Sequence, residues 1–112
     1  MNRNKLLEAF ISNLANVIVH QILEKAIDRR EIVEIYSKEI KNSFEIAKRY
    51  REKINPKNSS LPFHDIEDIK TKLKRKINSE LKLRIDKGYK NIELSLVSEL
   101  IDKFLKEMRI IS

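Results

Sequence analysis

Apolar side chains recur every three to four positions along four stretches of this chain, and that spacing predicts four helices. The first stretch, about residues 4–27, carries Leu7, Ile11, Leu14, Ile18 and Ile22 on one stripe. Leu6, Phe10, Ala15, Val17, Val19, Leu23 and Ala26 widen it well past half the circumference. A helix facing an ordinary core needs an apolar arc of only about 100°. The first helix is therefore expected to be either the centre of the fold or a contact between copies. In the second stretch, residues 28–54, the positions Val33, Tyr36, Ile40, Ser43, Ala47, Tyr50 and Ile54 alternate steps of three and four, the seam of packed helices. Asp28 with Glu31 three residues on reads as its N-terminal cap.

A third helix is predicted over residues 65–87, with Ile66, Ile69, Leu73, Ile77, Leu81 and Ile85 as its buried stripe and Gly88 as its left-handed stop. The fourth, residues 91–110, keeps heptad spacing through Leu94, Val97, Ile101, Phe104, Met108 and Ile111. Residues 55–65 hold Pro56 and Pro62 among turn-forming neighbours and form the one clear loop. The expected fold is an all-α, four-helix bundle-like single domain, two helical hairpins joined by this proline-containing loop and self-associating. One alternative competes locally. Leu81, Leu83 and Ile85, then Ile92, Leu94 and Leu96, alternate around Asp86-Lys87-Gly88 as a hairpin of a winged-helix domain would. Leucine, lysine and glutamate fill these segments rather than valine, threonine and aromatics, which favours helix.

Composition supports long helices. The chain of 112 residues has one glycine and two prolines, too few for the tight turns of a sheet. It contains no cysteine, which excludes disulfides and thiolate metal sites. Met1 to Asn4 do not lead from basic residues into an apolar run, so no secretory signal is expected. The most apolar segment, Leu14–Leu23, is short for a bilayer and is interrupted by Asn16, His20 and Gln21. A cytoplasmic protein without a membrane partner is the expectation.

Candidate chemistry is sparse. His20 and His64 lie in different elements, whereas zinc and iron sites gather three or four ligands. A phosphate loop needs several glycines, and Gly88 stands alone. The carboxylates mostly sit three or four residues from Lys or Arg, as in Glu34 with Lys38, Glu45 with Arg49 and Glu99 with Lys103, the spacing of helix-surface ion pairs. No catalytic residue, metal, cofactor or small-molecule substrate is predicted, and the protein is read as non-enzymatic.

Two features point to partners. Formal net charge is +7 at pH 7. Lys48, Arg49, Arg51, Lys53 and Lys57 cluster with only Glu52 among them, and Lys70, Lys72, Lys74, Arg75 and Lys76 with no acid at all. If the second and third helices pair, both clusters meet at the loop and make one basic end that could hold DNA or RNA by its phosphates. Tyr50, between Arg49 and Arg51, could stack on a base. Spread around one helix, however, the second cluster also fits an ordinary solvated face. The surplus of apolar surface is the other feature. Phe10, Leu14, Val17, Leu23, Leu96 and Leu100 are the candidate self-association residues, and a homodimer is the leading expectation. The function expected is therefore an interaction or scaffold protein that associates with itself; the alternative is a basic nucleic-acid-binding protein.

Overall fold

A computed structural model describes residues 2–56 and 59–112; Lys57 of the first basic cluster lies outside the described residues. The fold is all-helical: α1 (Arg3–Ala26), α2 (Arg30–Ile54), α3 (Phe63–Asp86) and α4 (Leu96–Glu107). α1 is capped by Asn2, whose side chain accepts from the Lys5 backbone N–H at 2.9 Å.

Three neighbours cover α1, and this explains its excess of apolar positions. α2 returns antiparallel along it, as the contacts Asn16–Ser43 and His20–Glu39 show. α3 runs parallel to it, tied at the start by Arg3 Nη2 to Asp65 Oδ2 at 2.7 Å. α4 runs back against α3, with Lys70 facing Asp102 at 4.0 Å, and it also touches α1. The predicted hairpins α1–α2 and α3–α4 are both present, but they join through α1: α2 and α3 do not pack on one another among the described residues. Phe44 of α2 reaches Phe104 of α4, ring centroids 6.1 Å apart.

The candidate self-association residues are corrected by this arrangement. Phe10, Leu14, Val17 and Leu23 have no exposed surface at all, Leu100 is buried and Leu96 is half-buried. The five buried residues belong to the core of one copy, and Leu96 packs against that core. By length and composition α1 is also apolar enough to cross a membrane, more so than the ten-residue segment Leu14–Leu23 suggests; here most of its apolar surface is covered by the other helices.

Helix boundaries differ from the expected ones where backbone geometry outweighs local pattern. Asp28 does not cap α2. Ile27 and Arg29 are extended, and the Arg29 carbonyl accepts from Ile32 and Val33 without a side-chain cap. α3 starts two residues before Asp65 because Pro62, which has no N–H to satisfy, stands at its head and its carbonyl accepts from Ile66. Asp65 is thereby left for Arg3.

The hairpin alternative fails. Residues 81–86 are helical, and no strand occurs among the described residues. α3 ends in a Schellman motif at Gly88, φ +99°, where Tyr89 N–H bonds the Arg84 carbonyl at 3.0 Å and Gly88 N–H that of Ile85 at 3.0 Å. The chain then stays irregular through Asn91, itself left-handed at φ 64°, so α4 starts at Leu96 instead of residue 91. Leu94, expected on the heptad seam, is left half in solvent.

α4 ends in a second Schellman motif, with Ile110 N–H on the Leu105 carbonyl at 2.9 Å and Arg109 N–H on that of Lys106 at 3.1 Å. Arg109 holds the left-handed position, φ 58°, that glycine holds after α3. An L-residue there costs about 1–2 kcal/mol. Arg109→Gly is expected to stabilise the fold by about 0.5–1 kcal/mol, glycine's larger unfolded-state entropy taking back the rest. Thermal unfolding measures it; an unchanged or lower midpoint would show that the Arg109 side chain contributes more than its backbone costs.

Candidate nucleic-acid interface

The two basic clusters have different fates because they sit on helices that never meet. On α2, Arg51 is 2% exposed. Its Nε donates to the Met108 carbonyl at 2.7 Å, and its Nη2 to the carbonyls of Ser59 and Arg109, each at 2.9 Å. Burial pushes its guanidinium below the usual arginine range. Arg51 thus caps the carboxyl end of α4 and pins the loop, so it is withdrawn from the nucleic-acid candidates. Lys48, Arg49 and Lys53 remain exposed, but Lys53 lies 5.6 Å from the centre of the half-buried Tyr50 ring, and Lys48 faces a cavity shared with Glu52 and Glu107.

On α3 the cluster divides between the two flanks of the helix. Lys70 and Lys74 turn toward α4, where Lys70 meets Asp102. Lys72, Arg75 and Lys76 turn toward α1. Positions i, i+3 and i+4 share one helical side, which is why these three travel together. They line a crevice of two adjoining cavities, each about 330 Å³, that share Ser12, Arg75 and Lys76. Glu8 closes one end and Glu80 the other. Arg75 and Lys76 form no ion pair among the described residues, while Lys72 lies 3.1 Å from Asp68. The helix pair expected to join the two clusters does not form, because α2 and α3 flank α1 without packing on one another; the crevice between α1 and α3 gathers three of the cations.

Ser12 was not legible as part of this crevice. It sits 63 residues before Arg75, and only the parallel packing of α1 and α3 brings the two together. A rise of about 1.5 Å per residue puts the α-carbons of Lys72 and Lys76 about 6 Å apart along the axis. That length corresponds to roughly two phosphates of one strand, at one charge per about 3.4 Å.

The remaining polar groups serve the fold. His20 lies with the Asn16 carbonyl 2.8 Å from Nδ1 and the Glu39 carboxylate at Nε2. Its partner is thus Glu39 across the α1–α2 seam, while Glu24, one turn on in α1, accepts from Ser37. The Tyr36 ring packs edge-on against His20 at 5.2 Å. Burial, then the Tyr89 hydroxyl, raises the Tyr36 phenol above its ordinary range, and the Tyr36 hydroxyl together with Arg84 lowers that of Tyr89. His64 is exposed at the start of α3. Among the described residues no group of three or more His, Asp or Glu side chains could hold a metal.

Comparison of the chain with family models, with curated proteins and with solved structures finds no match, so the crevice is interpreted from its own geometry alone.

Proposed function

We propose that this protein is a non-enzymatic binding module that holds a nucleic-acid backbone along the α1–α3 crevice. The convergence of Lys72, Arg75 and Lys76 on Ser12 carries this assignment. Cations of this kind neutralise phosphates and release counterions; they do not distinguish base sequence. Charge leads the interaction, because no aromatic residue lines the crevice to stack on a base.

Affinity for mixed-sequence DNA or RNA is expected to fall steeply with salt. The triple substitution Lys72→Ala, Arg75→Ala and Lys76→Ala should reduce the slope of log K against log salt by about 2–3, close to one unit for each phosphate no longer neutralised. Lys48→Ala with Arg49→Ala should change it less. Fluorescence anisotropy at several salt concentrations reads both. Binding that is absent near physiological ionic strength, or indifferent to the triple substitution, would remove the assignment.

Self-association is the second reading, now carried by a different surface. Ile35 and Ile46, 55% and 37% exposed, lie three turns apart on one face of α2. Pairing of that face with its copy is the form a homodimer would take. Light scattering after size exclusion tests it, and a species of 13.3 kDa at micromolar concentration ends it.

A further inference from the structure

The other flank of α3 carries a second open cleft. It lies between the carboxyl half of α3 and the start of α4, encloses about 460 Å³, and combines apolar floor with positive walls. Ile85, Leu94 and Val97 supply the apolar part, Lys74 and Lys82 the charge. Asn78 and Ser98 complete the lining, and no carboxylate takes part. Leu94 is 53% and Ile85 41% exposed, although both carry side chains that gain from burial. Neither Lys74 nor Lys82 forms an ion pair among the described residues.

The contrast with the rest of α3 is informative. Lys70 and Lys72, on the same helix, each find an aspartate. Lys74 and Lys82, beside the apolar cleft, have no such partner among the described residues, as is also true of Arg75 and Lys76 on the other flank. Positions 74, 78, 82 and 85 follow steps of four, four and three, so the lining is one continuous helical stripe about 16 Å long. Positive charge without an internal partner, set around exposed aliphatic surface, complements a ligand with the reverse pattern. The amino end of α4 adds partial positive charge at the same place.

We propose that this cleft docks a short acidic segment of a protein partner, one large apolar side chain resting on Ile85, Leu94 and Val97 and flanking carboxylates meeting Lys74 and Lys82. The cleft volume suits one such anchor and its neighbours. The proposal is independent of nucleic-acid binding at the α1–α3 crevice, since the two use different side chains and different flanks of α3. Failure of either leaves the other standing.

The test selects peptides on the full chain from a display library of random dodecapeptides, then measures the labelled survivors by fluorescence anisotropy. Acidic peptides with a single large apolar residue are expected. Their affinity should fall about tenfold or more with Leu94→Ala, the loss that removing an anchor side chain brings. A similar fall is expected with Lys74→Glu and Lys82→Glu together. The control pair Lys72→Glu and Lys76→Glu, on the other flank, should bind as the unaltered chain does. All five side chains are exposed, and unchanged thermal midpoints will confirm that the variants fold. Recovery of no peptide, of peptides without carboxylates, or of peptides indifferent to Leu94→Ala would overturn the proposal. So would loss confined to the Lys72 and Lys76 pair, which would place the peptide in the crevice. Displacement of the peptides by decanoate in simple competition would also overturn it, by assigning the cleft to free acyl carboxylates.

Discussion

Arg51→Ala is expected to destabilise the protein by about 3–5 kcal/mol, the largest loss from any single charged side chain in the molecule. Three main-chain carbonyls depend on this guanidinium: Met108 and Arg109 at the end of α4, and Ser59 in the loop. The last carbonyls of a helix have no partner within it, and a buried acceptor without a donor costs about 1–3 kcal/mol. Alanine removes the donor from all three at once and leaves a cavity where the long side chain lay. Leu61 N–H bonds the Ile110 carbonyl at 3.1 Å beside this junction, so the loop and the carboxyl end of α4 should loosen together. Arg51→Lys is expected to recover only part of the loss, because one ammonium cannot reproduce the planar fork that spans the three acceptors. Urea unfolding of both variants, with hydrogen exchange at the α4 end, measures the effect. A loss below about 1 kcal/mol would mean that water satisfies those carbonyls as well as Arg51 does.

Leu14→Ala should cost about 2–5 kcal/mol, and the loss should not depend on protein concentration. Leu14 has no exposed surface and lies midway along α1, amid side chains contributed by the helices around it. Truncation there leaves a cavity that four helices anchored by several contacts cannot close. The concentration dependence is the decisive part. If Leu14 were at an interface between copies, the variant would dissociate first and its unfolding midpoint would move with dilution. In the core of one copy it does neither. Equilibrium unfolding of the variant and the unaltered chain at two concentrations tenfold or more apart separates these outcomes, and a midpoint that follows dilution in the variant but not in the unaltered chain would refute the placement of Leu14 inside a single copy.

Residue spacing alone accounts for most of the architecture. The stripe Ile69, Leu73, Ile77, Leu81 is buried as the three-to-four repeat requires, and so are Val97, Ile101, Phe104 and Met108. Spacing misleads where backbone geometry interrupts it. The heptad of the last helix continues back toward residue 91, yet the left-handed turns at Gly88 and Asn91 delay α4 until Leu96 and leave Leu94 exposed. The candidate interface is legible only in part. Arg51 stands in a basic run and looks like its neighbours, yet its partners Met108 and Arg109 lie 57 and 58 residues away. No local feature separates it from Arg49.

Helical content, the proline loop and the stop at Gly88 follow from the chain alone, because spacing of apolar residues and backbone preferences act over a few positions. Only packing decided the rest: that α1 is the centre and absorbs the oily surface, that α2 and α3 stay apart, and that five neighbouring cations on α3 divide between its two flanks. Those outcomes depend on which helices meet and at what register. Such contacts join residues some sixty positions apart, and the free energy that selects them belongs to the assembled bundle rather than to any one segment.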